Sequence, residues 1–478
     1  MRSAVVAIGA LNLDVVAGYG RDDSGLPMAN WGRDEERAVS EHDWWRIFYA
    51  YLSGREIHLS PGGSAANTGA ALAALDSGLS VTITGLIGED AEAEHLNEDK
   101  FWFGVRREFS RVPEGRTGRA LSYVGHPPEG RRLAVAPGVN DRFQVSRVAD
   151  AVLASASWLH TSSFVDSACN RELAGVMKRA RALNSEVTIS LDPGTFLSQP
   201  GSFEVAPECL SEADYILTKT SELTALANVR AIQSEEAQRR QAVQMLFAMS
   251  SRPLTVVVER IPNGFTIYRS DGSPPQSIDF EQKLSGASKD DTGAGDVFDA
   301  GFIYSVIKGL APLRAVRLIR SLLQVHLSAY GRSGYEEFSS CTPIIFASHS
   351  AKDRRLVHEF VDQLKGTEVS FWLDEAEMPL GGSLREQIRH GIRESDAVAA
   401  FITPDSMASG WVRSELAWAR EEGRRIIPIM LVPTQIPADL ADTYRLDRST
   451  VGAAEAREHL LREFRRGKPS ITGALTRG

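Results

Sequence analysis

The sequence predicts two successive α/β units, a larger doubly wound one followed by a smaller parallel one. Three observations lead there. At 478 residues the chain exceeds the roughly 250–300 residues at which a single core stops growing. Short β-branched runs alternate with segments of helical periodicity along most of its length. A polar stretch at 336–342 breaks that alternation and reads as a linker between a unit at 1–335 and a unit at 343–466, with a Gly-containing basic tail at 467–478.

In the first unit, Ala4–Leu11, Val81–Ile87, Val187–Leu191, Tyr215–Leu217 and Leu254–Val258 read as strands, and Ser64–Leu75 and Glu235–Met249 as helices. The segment 20–59 carries Trp31, Trp44, Trp45, Tyr49 and Tyr51 and interrupts what should be a tight βαβ start. Insertions of this size often form a lid or an interface. An oligomer contact, an ordinary packed insert and a stacking surface for substrate all fit its aromatic composition. In the second unit the strands are Ile344–Ala347, Val369–Leu373, Ala397–Ile402 and Ile426–Leu431. Between them Leu356, Phe360 and Leu364, and then Leu384, Ile388 and Ile392, recur every four residues, the signature of an amphipathic helix.

Composition narrows the function. Hydrophobic residues at 43% and charged residues at 24% are globular averages, so the chain is expected to fold into cores. The net charge of −9 is mild and the arginines are dispersed, which argues against a nucleic-acid partner. Cys169, Cys209 and Cys341 lie far apart without a CxxC pair, so neither a disulfide framework nor a zinc or other metal site is expected, and the chain suits a reducing cytoplasm. The N-terminal apolar run passes into Asn12 and Asp14 without a cleavage-like site, and no stretch reaches about 18 apolar residues, so no membrane partner is expected.

The strongest chemical signal is the run Asp290-Asp291-Thr292-Gly293-Ala294-Gly295-Asp296, which enters an apolar helix. Small residues there let backbone N–H groups converge on an anion, and the helix dipole adds favourable potential. Phosphate is the natural guest of Thr292, Gly293, Ala294 and Gly295. Asp296, at the mouth of the hole, is placed to take the proton of an attacking alcohol. A tight turn capped by an aspartate has the same local pattern, so context decides. Gly62-Gly63-Ser64-Ala65-Ala66-Asn67 precedes a helix, Asp14 is read as ending the first strand, Gly85 to Asp90 follows another, and Gly138-Val139-Asn140 comes later.

In this order the elements resemble the ribokinase-like (PfkB) family over about the first 335 residues. The resemblance implies a ribokinase-like doubly wound sheet with a lid. It implies that Asp14, Gly62, Gly63 and Asn67 bind the acceptor sugar or nucleoside, that Asp296 is the base, and that nucleotide phosphates sit on the Gly293–Gly295 amides with ATP and magnesium as partners. Two positions depart from the family pattern. Lysine stands at 219 where the NxxE element has asparagine, although Glu222 is retained, and Glu259-Arg260-Ile261 replaces a Thr-x-Gly that normally meets the nucleotide. A sensor that binds without turnover and a slow kinase are both consistent with this pattern.

The second unit carries Ile344 to Asp353, Val369 to Asp374, Gly381-Gly382-Ser383-Leu384, Ser395-Asp396 and Trp411-Val412-Arg413-Ser414-Glu415-Leu416. By spacing alone, Trp411 and Glu415 share a helix face. In series these elements resemble a TIR domain, a flavodoxin-like parallel α/β fold. TIR domains that cleave NAD use a glutamate at the position of Glu415, which implies a catalytic Glu415 and an NAD pocket bordered by Ser348 and Trp411. The resemblance also implies assembly of TIR domains into a homo-oligomer through the loop Asp374–Gly382. The combined expectation is a cytoplasmic TIR NAD glycohydrolase, of the NAD-depleting antiviral type, controlled by a kinase-like domain that senses a sugar, nucleoside or nucleotide. An active PfkB-type kinase with the TIR domain as an interaction module is the alternative.

Overall fold

The computed structural model describes residues 3–17, 26–124 apart from 33, 53 and 54, 131–197, 205–229, 234–280, 284 and 288–341 apart from 311. It then describes 344–363, 370–373, 383–435 apart from 394, and a few positions between 440 and 459. The chain divides into two compact units, Met1–Ser339 and Ser340–Gly478.

The larger unit is organised by a nine-stranded sheet in the order Gln276–Asp279, Gly264–Arg269, Thr255–Glu259, Tyr215–Lys219, Thr188–Asp192, Trp158–Ser162, Ala4–Ile8, Ser80–Ile87 and Arg106–Arg111. The two strands at the first edge form an antiparallel hairpin, and the rest run parallel. Parallel strands buried on both faces need continuous apolar runs. Val5 to Ile8 and Val256 to Val258 supply them. The helix Ser64–Leu75 lies buried along nearly its whole length because alanine dominates it. Gly69 within it has no room for a side chain, since a Cβ would begin 2.9 Å from the Ile83 side chain.

The chain leaves this sheet earlier than expected. Ala4–Leu11 is not one strand: it stops at Ile8, and a second strand, Asn12–Ala17, joins a separate five-stranded sheet. Asp14 therefore lies inside that second strand rather than at the end of the first. Asn140 pins the crossing, accepting from Leu11 N–H at 3.1 Å and donating to Leu11 C=O at 3.0 Å.

This second sheet, in the order Glu36–Ala38, Arg131–Ala136, Gly118–Val124, Asn12–Ala17 and Ile57–Gly62, is the lid. Side-chain alternation gives it two faces. Leu121, Tyr123, Ala134 and Ala136 look outward and pack under Trp44, Ile47 and Tyr51 of the helix Glu41–Leu52. Ala120, Leu133 and Val135 look inward toward Phe196 and Val165. The aromatic segment 20–59 is thus the lid's own covering, as far as its described residues extend. Each fully buried aromatic there is worth about 2–3 kcal/mol of apolar burial.

The stretch expected to be a linker is partly folded. Gly331–Ser340 winds in 3₁₀ turns because Tyr335 and Phe338, three apart, stack at 4.5 Å and are buried. The tail at 467–478 lies outside the described residues. The smaller unit holds a parallel sheet in the order Ser370–Trp372, Ile344–Ser348, Ala397–Ile402, Arg425–Met430 and Leu446–Asp447. Ile345, Ala399 and Phe401 face one core, and Phe346, Val398 and Ala400 the other.

Candidate functional site

Ligands of open α/β sheets bind beyond the carboxyl ends of the parallel strands. In the larger unit Ser162, Asp192, Lys219 and Glu259 are the last residues of four neighbouring strands. All four line a cavity of about 150 Å³ that the inner face of the lid closes. One end is an apolar slot of Ala120, Leu133, Val135, Phe196 and Val165.

The middle of the cavity gathers Asp14, Asn67 and Asp296 from three distant parts of the chain. Gly62 must be glycine, because a side chain would begin 1.9 Å from the Asp14 carboxyl. Gly63 has φ +100°, and a Cβ there would lie 1.9 Å from Ala10 C=O. Asn67 Nδ2 donates to Asp296 Oδ2 at 2.7 Å, and Ser64 Oγ lies 2.8 Å from Asp296 Oδ1 and 2.5 Å from Asp192 Oδ2. A hydroxyl has one proton, so one of those two contacts uses a proton on a carboxyl. Asp192 is suited to hold it, since burial, together with Glu222 and Asp296, pushes it up to about 7. Burial likewise raises Asp14 to about 8, with Arg332 opposing and Asp296 and Asp290 adding to the rise.

Sequence reasoning missed Arg332. Its Nε donates to Asn67 Oδ1 at 2.9 Å, its guanidinium lies 4.4 Å from the Trp102 ring, and it is fully buried. It arrives from the turns after the last helix of the unit, where no local motif marks it. Glu36 and Arg131, which bring opposite charges into the cavity from lid strands, were missed for the same reason.

The far end holds the loop and helix start expected to form an anion hole. The helix Ala294–Ile307 opens on Gly293 in the left-handed region, φ +85°. Asp290 shapes the loop, accepting from Thr292 N–H at 2.9 Å and from Gly331 N–H at 3.0 Å. Thr292 shares a hydroxyl contact with Ser122 at 2.7 Å, and its carbonyl meets His326 Nε2 at 2.9 Å. Beside Gly295 stand Glu259 and Lys219: a side chain at Gly295 would begin 3.4 Å from Glu259 Oε1 and 3.7 Å from Lys219 Nζ. Glu222 Oε2 accepts from Lys219 N–H at 3.1 Å and from the Thr218 hydroxyl at 3.2 Å. Arg260, in the stretch that replaces the family's Thr-x-Gly, turns to the edge hairpin and pairs with Asp279 at 2.7 Å. Among the described residues, no three His, Cys, Asp or Glu side chains converge as metal ligands.

In the smaller unit, Ser348 is the last residue of the strand Ile344–Ser348, and Glu415 sits on the helix Gly410–Glu421. That helix begins at Ser409, whose hydroxyl accepts from Val412 N–H. Ser348 Oγ donates to Glu415 Oε2 at 2.6 Å, and both residues are buried. They meet beside the point where the sheet order reverses between Ile344–Ser348 and Ala397–Ile402, the usual crevice of such sheets. Trp411, one turn before Glu415, is 47% exposed and packs edge-on to Trp418 at 6.5 Å. The spacing that put the two on one face does not bury them together. The loop Asp374–Gly382 lies outside the described residues.

Comparison with known proteins agrees with both folds. The model of the pfkB family carbohydrate kinases matches residues 48–318, and that of the TIR domain matches 345–461. An uncharacterized sugar kinase of Archaeoglobus fulgidus is 28% identical over 239 residues, 48% of this chain and 85% of that protein. A probable 2′ cyclic ADP-D-ribose synthase of Methanobrevibacter olleyae is 36% identical over 72 residues, 15% of this chain and 21% of that protein. A 2′ cyclic ADP-D-ribose synthase of Bacteroides thetaiotaomicron is 29% identical over 72 residues, 15% of this chain and 25% of that protein. Among solved structures, adenosine kinase from Schistosoma mansoni superposes with a TM-score of 0.60 at 19% identity, covering 69% of this chain and 96% of that one. Ribokinase from Giardia lamblia gives 0.55 at 17% identity, covering 70% and 98%. The fold of these structures is the fold of the larger unit. The chain belongs to the pfkB family of carbohydrate kinases and carries a TIR domain at its C-terminal end.

Proposed function

We propose that the TIR domain cleaves the nicotinamide–ribose bond of NAD and that Glu415 carries the chemistry. The observation behind this reading is the buried Ser348–Glu415 pair at the carboxyl end of a parallel strand. Breaking that bond builds oxocarbenium character on the ribose, which a carboxylate stabilises while also accepting from ribose hydroxyls. Nicotinamide leaves as a neutral molecule, so no general acid is required. Ser348 holds the Glu415 carboxylate, and Trp411 offers an aromatic surface one turn away. The relatives named as 2′ cyclic ADP-D-ribose synthases support NAD as the substrate.

The kinase-like domain is the sensor in this reading. A sugar, nucleoside or nucleotide at Asp14, Gly62, Gly63 and Asn67 raises TIR activity and shifts the protein to a larger homo-oligomer, a coupling that needs tighter ligand binding to the active state than to the resting one. The setting is the cytoplasm, and the outcome is NAD depletion as an antiviral response. The test follows nicotinamide release by the purified full-length protein with and without candidate ligands, beside Glu415→Gln. Full NAD cleavage by that variant, or no response to any ligand, sinks the corresponding half.

One observation favours a second reading, an active PfkB-type kinase. Asp296 stands in the first turn of the helix Ala294–Ile307, held by Asn67 and Ser64. Asp296→Asn then abolishes phosphoryl transfer from ATP while ligand binding survives, because the amide cannot act as a base yet fits the site.

A further inference from the structure

At its phosphate end the cavity of the larger unit carries a fixed cation. The strand Tyr215–Lys219 delivers Lys219 to the edge of the helix Ala294–Ile307, with Nζ 3.7 Å from the point where a Gly295 side chain would begin. The ammonium makes no hydrogen bond or salt bridge among the described residues. Burial disfavours its charge, but nearby carboxylates, Glu222 foremost, outweigh that and keep it protonated.

Glu259 approaches the same point, with Oε1 at 3.4 Å, and its Oε2 is buried without a hydrogen-bond partner among the described residues. Burial pushes Glu259 up to about 8, with Lys219 opposing, so near neutral pH its carboxyl carries a proton and can donate. From the lid, Arg131 lines the same cavity, its charge opposed by burial and supported by Glu36, Asp291, Asp290 and Asp296. The free N–H groups of a 14-residue helix add partial positive charge at the same place.

Magnesium, which the family's nucleotide chemistry implies, does not fit these residues. A divalent cation wants ionised or neutral oxygen donors with open lone pairs. Glu222 Oε2 is already engaged by Lys219 N–H and Thr218, Glu259 holds a proton, and the Lys219 ammonium stands at the same helix end. We propose that this end of the cavity binds the phosphate group of a nucleotide or sugar phosphate without a divalent cation, with the Lys219 ammonium and the helix N–H groups as its partners. The proposal rests on the reading of the cavity as the ligand site.

The test is calorimetric titration of the full-length protein with AMP, ATP, ribose 5-phosphate and inorganic phosphate, each in excess EDTA and in excess magnesium. Adenosine and ribose are the unphosphorylated controls. At least one organic phosphate is expected to bind with a Kd that magnesium changes by less than about twofold, and more tightly than its unphosphorylated control. AMP against ribose 5-phosphate separates a nucleotide from a sugar phosphate as the source. Lys219→Asn is expected to weaken binding in EDTA by about tenfold or more and to gain a dependence on magnesium, whereas Lys219→Met loses affinity in both buffers. A thermal melt of each variant reports folding. Wild-type binding that needs magnesium, undiminished binding by Lys219→Asn in EDTA, or no binding of any phosphate in either buffer overturns the proposal. Nicotinamide release by the same wild-type preparation is scored separately, so a failed titration with intact NAD cleavage leaves the TIR reading standing.

Discussion

The kinase-like cavity and the TIR pair bury carboxylates in opposite ways. The cavity brings together Asp14, Glu36, Asp192, Glu222, Glu259, Asp296 and Asp299 and offsets them with Arg131, Lys219 and protons taken up by several of the acids. The TIR pair sets a glutamate of one helix against a hydroxyl at the end of one strand. A network shares its charge among members, so removing one redistributes protons. The Ser348 hydroxyl beside Glu415 can donate to it but cannot take up its charge. The difference predicts steep losses from single changes in the TIR site and graded ones in the cavity.

The largest effect expected is that of Glu415→Gln, which keeps volume and removes the anion. Loss of a single electrostatic contact to a developing charge is worth about 3–4 kcal/mol, so nicotinamide release should fall about 10²- to 10³-fold with the melting temperature unchanged. A loss below tenfold would make the TIR site as redundant as the cavity.

Gly62→Ala comes next. The added methyl would begin 1.9 Å from the Asp14 carboxyl, which cannot be accommodated without moving the strand or the acid. A loss of roughly 1–3 kcal/mol in stability or ligand affinity is expected, read by thermal melts and titration. Wild-type behaviour of both quantities would show that Asp14 is free to swing away.

The pH dependence sharpens the comparison from the cavity side. Asp14 has a folded value of about 8, raised chiefly by burial, above its unfolded value of 3.8. The folded state therefore binds its proton more tightly. That contribution to stability is whole below the unfolded value and is lost as pH rises toward about 8. Asp14→Asn removes this dependence, so its melting temperature should gain on wild type steadily from pH about 5 to about 8. A constant offset across that range would mean that Asp14 is ionised in the folded protein.

Trp411→Ala should have the smallest effect on the fold. The ring is half exposed, so stability should change by less than about 0.5 kcal/mol. A several-fold rise in KM for NAD with kcat retained is expected if the ring lines the pocket, and unchanged kinetics would leave it a surface aromatic.

Local features of the sequence were enough to find several elements of the main sheet and its helices, though not the strands of the lid. Helical periodicity marked Ser64–Leu75 and Glu235–Met249 at the bounds the structure has, and Ala397–Ile402 was legible as an apolar run. The small residues before Asp296 marked a helix start because only such residues take the backbone there, as Gly293 at φ +85° does. These are short-range properties, set by dihedral preference and by which face of an element is apolar. Trp411 beside Glu415 shows where such reasoning ends, since one-turn spacing does not say which of the two is buried.

The fold alone decided what meets what. Asn67 reaches Asp296 across 229 positions and Arg332 across 265. Arg131 and Glu36 enter the cavity because alternate residues of a lid strand face inward, and the chain's early exit from the first sheet at Ile8 is what carries Asp14 into that lid. Ser348 and Glu415, 67 positions apart, form a pair because the strand order of the TIR sheet places the strand end beside that helix. The proton and charge states of these groups follow from the burial and proximity that tertiary packing creates. A carboxylate in a sequence has its ordinary affinity for a proton until neighbours remove its water and set other charges beside it.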